Sequence, residues 1–445
     1  QGMLNLQTSL VTSCICMLNS MNLYLRASLV NALVLVVQTN FVNTGTHNKP
    51  RLVHYTIPEN RALKKTLGYN EDSYLNFTEL VTKYGYSSEQ HVVITEDGYI
   101  LTLFRILPKC SEVTEMRLHP VLLMHGVMDS SDLWILAGPE TGLGYVLANN
   151  CYDVWVANHR GNRYSRKHVR LNPDTDKEYW NYSFDEHGNY DLPALVDYIL
   201  QSSKRPRLNY IGHSQGTTDF FVMNSLKPEY NEKIGLSIHL APVAWLANLK
   251  NPLPLIAAQG TGPIKIFLDA AGYNEILARD QLLHSLVEFL CQVSPNSICG
   301  QLLSISTGYR PGTIRSKTLA VAFGHLLVGI STKDLAHFGQ LILSKKFQRF
   351  DEGRAGNIKR YGNAKPPKYN LSKITSPVVL INAKNDMLST LEDSSILRAH
   401  LPNVVEDYVV PELHWSHHNH VWGIKAPTYV FPKILDYLDK YDIYT

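Results

Sequence analysis

Ser214, Asp386 and His417 are the residues of this chain whose types and order could do covalent chemistry. Ser214 stands between two glycines in "GHSQG" (212–216), Asp386 ends "SPVVLINAKND" (376–386), and His417 lies within "ELHWSHHNHVW" (412–422). A serine hydroxyl is a weak nucleophile until a neighbouring imidazole takes its proton. The imidazole in turn needs a carboxylate to hold its tautomer and stabilise its charged form. Attack on a carbonyl would also place negative charge on oxygen, which two fixed backbone N–H donors must meet. Gln215, the residue after the serine, is one candidate donor. Val127, just past "HPVLLMHG" (119–126), is the other, with Gly126 letting the backbone approach. Together these residues could perform acyl transfer.

Such a set works only if the fold brings positions 127, 214, 386 and 417 to one place. Short apolar, β-branched runs ended by turn residues recur at 119–126, 152–158, 208–214, 236–243, 376–386 and 405–410, with helical patterns such as "DLPALVDYILQ" (191–201) between them. That alternation predicts an α/β fold with a mostly parallel sheet covered by helices on both faces. "HVVITEDGYILTLFRIL" (91–107) is expected to be a hairpin around Glu96, Asp97 and Gly98. G-x-S-x-G alone is a weak signal, but here an apolar strand precedes it and a plausible helix follows, as a strained strand-to-helix turn requires. Asp386 and His417 fall after later strands, at the carboxyl edge where open α/β sheets build their sites. From about Trp245 to Tyr369 the patterns are mainly helical with no convincing strand, which predicts a helical insertion.

The 445 residues are 44% hydrophobic and 18% charged, enough for a large core. The net charge is only +3 and no basic run is interleaved with aromatics, so nucleic acid is excluded as the expected partner. Residues 1–20 have the character of an upstream extension, and 21–44 the layout of a signal peptide. The apolar run 27–37 is too short to span a bilayer, and no later segment reaches about 18 unbroken apolar residues, so stable membrane insertion is not expected. N-x-[ST] sequons at Asn76, Asn181 and Asn370 suit a secreted glycoprotein. Of the six cysteines, Cys14 and Cys16 fall in the upstream extension. Cys291 and Cys299 close the short loop "CQVSPNSIC", which suits a local disulfide in an oxidising compartment or leaves two thiols. Cys110 and Cys151 are read as buried or spare thiols.

Taken together, "TEDGYILTLFRI", "LLMHGVMDSSDLW", "YDVWVANHRGNRYSRKH", "WNYSFDEHGNYDLPALVDYI", "GHSQGTT" and the spacing from "NDMLS" to the histidine loop resemble the acid lipase family of gastric and lysosomal lipases and their insect relatives. The likeness runs from about Asn76 to the C-terminus in the same motif order. It implies an α/β-hydrolase core over 45–244 and 371–445, with a helical cap and lid over 245–370. By motif it implies Ser214, Asp386 and His417 as the triad, Val127 and Gln215 as oxyanion donors, and Cys291–Cys299 as a cap disulfide. It further implies a secreted or lysosomal enzyme that cleaves triacylglycerols or cholesteryl esters at an emulsion or membrane surface, with no metal and no cofactor. The family's histidine usually sits in a pattern like N-H-x-D-F-x-W. Here Asn419 replaces the acidic residue and His420 the aromatic one, while Trp422 keeps the register on His417 rather than His418.

Other readings of these residues carry less. His414, His417, His418 and His420 could be metal ligands, but they lack the separated carboxylate or cysteine partners of a typical zinc site. His125 is expected to order the oxyanion loop, "NHRGNRYSRKH" to be a solvated loop-ordering segment, and Trp134, Trp155 and Trp180 to be core. A short-chain carboxylesterase is the nearer rival. A non-catalytic lipid carrier on the same fold would be marked by loss of the serine or histidine, and neither is lost.

Overall fold

The computed structural model describes residues 61–110, 117–251, 274–276 and 282–442, together with Pro254 and Ala258. The segments 1–20 and 21–44 lie outside the described residues. Among those described, no helix is long and apolar enough to cross a membrane.

Among the described residues, eight strands form one sheet in the order β1-β2-β4-β3-β5-β6-β9-β10. They are β1 (Ser88–Ile94), β2 (Ile100–Ile106), β3 (Val121–Met124), β4 (Val154–Val156), β5 (Leu208–His213), β6 (Ile234–Leu240), β9 (Val378–Asn382) and β10 (Val404–Val409). The hairpin β1/β2 closes at Ile94↔Ile100, and β2 runs antiparallel to β4. Every other neighbouring pair is parallel. Each apolar run named from the sequence thus became a strand.

The inner strands are buried on both faces, which is why they lack polar alternation. Alternate residues still serve different faces. Val121 and Leu123 of β3 and Ile211 of β5 join one apolar cluster, whereas Leu122, Met124, Leu208 and Tyr210 join another. The helix Leu192–Ser203 covers the second face with Leu192, Leu195, Val196 and Ile199, and it ends at Lys204 in a left-handed cap. The helix Phe431–Tyr441 turns Phe431, Ile434 and Leu438 into the first cluster. Each such fully buried side chain contributes about 1.5–3 kcal/mol, so the sheet is a stiff platform for whatever its edge carries. Trp134, Trp155 and Trp180 are buried, as expected.

Between β6 and β9 the described residues are largely helical, at Leu282–Val293, Gly300–Thr307, Ser316–His325, Thr332–Ser344 and Gly353–Tyr361. The expectation that this stretch holds no strand needs one correction. Glu275–Ile276 (β7) and Ile330–Ser331 (β8) form an antiparallel pair. Two residues are too few for a period-2 pattern to register in the sequence.

Cys291 and Cys299 are joined, with Cα atoms 5.5 Å apart. Cys110 and Cys151, expected to be thiols, are also a disulfide, with Cα atoms 5.4 Å apart. The physical reason is the antiparallel β2/β4 register. Ile106 pairs with Val154, so a cysteine four residues past one and another three residues before the other meet. Nothing local to either cysteine signals this. Of the three sequons, Asn181 and Asn370 are exposed. Asn76 is half-buried and caps the helix Phe77–Lys83, its side-chain oxygen accepting from the Glu79 N–H.

Candidate active site

β5 ends at His213, Ser214 follows, and the helix Gln215–Leu226 begins at the next residue. Ser214 at the junction has φ 54°, a left-handed conformation that a non-glycine residue holds only when its surroundings enforce it. Its N–H donates to Leu240 O of β6 (3.1 Å), which pins the turn to the sheet. The flanking glycines answer to space. A Cβ on Gly216 would lie 2.4 Å from the Met124 carbonyl oxygen, and one on Gly212 would lie 2.8 Å from the Gly216 carbonyl carbon. Only this pair lets helix, elbow and β3 pack so closely, and the serine is left at the carboxyl end of the sheet.

Asp386 and His417 reach the same edge from β9 and β10. His417 Nδ1 donates to Asp386 Oδ2 at 2.8 Å, while Asp386 Oδ1 accepts the N–H groups of Leu388 and Ser389, both at 2.8 Å. Exposure is 1% for Asp386, 2% for His417 and 7% for Ser214, so serine is the most open of the three. The histidine loop is tied to the elbow directly, because His213 Nε2 donates to His417 O (3.0 Å) and the two rings lie 4.9 Å apart. His418 stacks on Trp422 instead, with rings 4.6 Å apart and 16° from parallel. The two family departures have local roles. Asn419 Oδ1 accepts from the Ser416 N–H (2.9 Å) and hydroxyl (2.7 Å), closing the loop, and His420 Nδ1 accepts from Trp415 Nε1 (3.4 Å). Burial brings His420 down to about 3, so it is a neutral core ring.

The loop after β3 approaches the elbow from the other side. A Cβ on Gly126 would sit 3.1 Å from Ser214 Cβ, so glycine permits the close approach of this loop to the elbow, and Val127, the next residue, is half-buried. Met128 follows at φ 59° with its carbonyl accepting from the Leu327 N–H (3.0 Å). His125 orders this loop as expected. Its Nδ1 donates to Gly126 O (2.8 Å) and its Nε2 accepts from the His159 N–H (3.2 Å). Burial, with His159 adding to it, holds its pKa well below the usual histidine range, which suits a structural role.

Three features of the neighbourhood go beyond the sequence reading, and the first of them corrects it. "NHRGNRYSRKH" orders loops but is solvated only in part, because His159, Arg160, Asn162 and Ser165 are buried while Lys167 is exposed. Arg160 makes paired contacts with Asp97 (2.6 and 2.9 Å) and Asp191 (2.9 and 2.6 Å), which is how a guanidinium survives burial. Second, a titratable cluster lies under Gln215. His159, His187 and Asp219 offer ligand atoms within 4.8 Å of one another. Two ligands of a tetrahedral ion, each about 2 Å from it, stand about 3.3 Å apart. His159 Nε2 and Asp219 Oδ2 are 2.6 Å apart, a direct hydrogen bond. Burial takes both histidines down to about 3 and the Asp219 carboxyl up to about 6. Third, the Gln215 side chain is held, its Nε2 donating to His187 Nδ1 (3.0 Å) and to Asp334 Oδ2 (3.0 Å). Sequence reasoning missed Asp334 because it lies 119 residues away on a separate helix.

Asp132, also missed, anchors the loop after β3 to its surroundings. It accepts from Arg163 (2.8 Å), His325 (2.7 Å) and the Tyr164 hydroxyl (2.9 Å). Burial would raise its carboxyl, but Arg163 first and then His325 outweigh this and bring it to about 2. A lowered carboxylate pKa stabilises the fold above the unfolded value near 3.8 and loses that contribution as pH falls through about 2. Asp132 is therefore expected to contribute about 2 kcal/mol that persists at pH 4 and disappears by pH 2. Denaturant titrations at pH 2 to 5 check this, since Asp132→Asn should remove that part of the pH dependence.

Family models agree with this geometry. Residues 77–138 match a partial alpha/beta-hydrolase lipase region, and 119–230 match the alpha/beta hydrolase fold. Lipase 1 of Drosophila melanogaster is 36% identical over 86% of this chain and 83% of its own length. The human lysosomal acid lipase/cholesteryl ester hydrolase is 33% identical over 88% of this chain and 97% of its own. Gastric triacylglycerol lipase of Rattus norvegicus is 33% identical over 82% of this chain and 92% of its own. Identity at this level across most of both chains, joined to a serine elbow and a histidine–aspartate pair at one sheet edge, makes this chain a member of the acid lipase family of α/β-hydrolases.

Proposed function

We propose that this protein is a secreted or lysosomal lipase that hydrolyses carboxylic esters of neutral lipids, triacylglycerols or steryl esters, through an acyl-enzyme on Ser214. The observation that carries the reading is the 2.8 Å bond from His417 Nδ1 to Asp386 Oδ2 beside the strained serine elbow. With Nδ1–H committed to aspartate, His417 Nε2 is left as the base for the Ser214 hydroxyl. Oγ attacks the ester carbonyl, and the N–H groups of Gln215 and Val127 stabilise the oxyanion. The proton then passes from His417 to the departing alcohol. A water molecule deprotonated by the same nitrogen attacks the acyl-enzyme, releases the fatty acid and restores Ser214.

The relatives named for triacylglycerol and cholesteryl ester cleavage support the substrate class. We read residues 245–370 as the cap. Leu286, Val293, Leu302 and Ile305 are exposed on its helices, which suits contact with a lipid surface. Asn76, Asn181 and Asn370 are proposed glycan acceptors, of which the exposed Asn181 and Asn370 are the better presented.

Initial rates on emulsified long-chain triacylglycerol and on a soluble short-chain ester, measured across the solubility limit, test the reading. The rate on the emulsion should be at least about tenfold higher, with a rise where the interface forms. Equal or faster hydrolysis of the soluble ester, with no rise, would assign a short-chain carboxylesterase instead.

A further inference from the structure

We propose that Asp334 is a positioning residue for the oxyanion hole, one that holds the Gln215 side chain and so ties the Gln215 backbone N–H to the helix Thr332–Ser344. The inference rests on the role given to Gln215 above. Asp334 and Gln215 are 1% and 2% exposed, so neither contact competes with water. Asp334 Oδ2 accepts from Gln215 Nε2 (3.0 Å), and its Oδ1 accepts the Phe184 N–H (2.7 Å). One carboxyl therefore joins the elbow helix, the segment around Phe184 and the helix that carries it. Among the described residues no cation pairs with Asp334, so ion pairing does not explain a carboxyl at this depth.

The groups facing it are Asp219 and Gln215 from the elbow helix, and Tyr182, Phe184, Glu186 and His187 from the segment before Leu192. Burial first, then Asp219, push the Asp334 carboxyl up to about 8. Its proton is thus retained through the neutral and acidic range. Gln215 Oε1 has no partner among the described residues. With the amide turned over, Oε1 accepts from the protonated carboxyl and from His187 Nδ1–H, so the anchor holds in either protonation state. Asparagine keeps a donor group and an acceptor oxygen where a protonated carboxyl has them, and leucine offers neither. Because an oxyanion donor must sit about 2.7–3.1 Å from the developing charge, loosening its residue costs turnover more than substrate binding.

The test is kcat and KM on emulsified triacylglycerol for Asp334→Leu and Asp334→Asn, with labelling of Ser214 by a fluorophosphonate as a separate readout. Asp334→Leu should lower kcat by about tenfold or more with KM within about twofold, and Asp334→Asn should restore kcat to within about threefold. If the leucine variant does not fold, Gln215→Met, which keeps the backbone N–H but loses the anchor, should show the same fall in kcat. Unchanged kcat in Asp334→Leu or in Gln215→Met, or equal losses in the leucine and asparagine variants, would overturn the inference alone. Failure of the unaltered protein to label at Ser214 would overturn the reading beneath it, and the inference with it.

Discussion

Replacing Ser214 with alanine lowers kcat on any ester substrate by about 10⁴-fold or more, with the fold retained. The size follows from what the change removes. The proposed oxyanion donors and lipid-contact surface remain, so some rate above the uncatalysed reaction persists, but the covalent route is closed. Retention of the fold follows from the elbow itself. Its geometry is set by the Ser214 N–H to Leu240 O bond and by the close packing of Gly212 and Gly216, none of which uses the hydroxyl. Steady-state rates beside a thermal unfolding curve check both halves.

Asp386→Asn is expected to cost about 10⁴-fold in kcat, with KM changed far less. Asp386 Oδ1 is already committed to two N–H donors, those of Leu388 and Ser389, and Oδ2 faces His417 Nδ1. An asparagine that keeps its oxygen on the two N–H groups must turn its NH₂ toward Nδ1. His417 then accepts at Nδ1 and carries its proton at Nε2, the tautomer that cannot take a proton from serine. The opposite orientation sets NH₂ against two backbone donors in a site only 1% exposed, which is worse. A kcat/KM profile that falls at every pH from 4 to 9 supports this, and loss confined to low pH would contradict it.

Much of this was legible in the residues because the controlling interactions are local. The inner strands of the main sheet are apolar runs closed by turn residues, and Ser214 is bracketed by glycines that its own turn requires. The histidine loop was harder. "SHHNHVW" offers two adjacent imidazoles, and their separation rests on packing, His417 against Asp386 and His418 against Trp422. What sequence concealed is uniformly non-local. The Cys110–Cys151 bond depends on strand register, the burial of Arg160 depends on two carboxylates far along the chain, and the anchoring of Gln215 depends on a helix 119 residues away. A charged residue such as Arg160 carries no local mark that it will be buried and doubly paired.

Mass-spectrometric mapping of a fluorophosphonate adduct tests the nucleophile most directly. One adduct per chain is expected, on the hydroxyl of Ser214, lost in Ser214→Ala and slowed in Asp386→Asn. An adduct on another residue, or an unaltered protein that stays unlabelled at saturating reagent, would contradict the assignment of Ser214 as the reacting group.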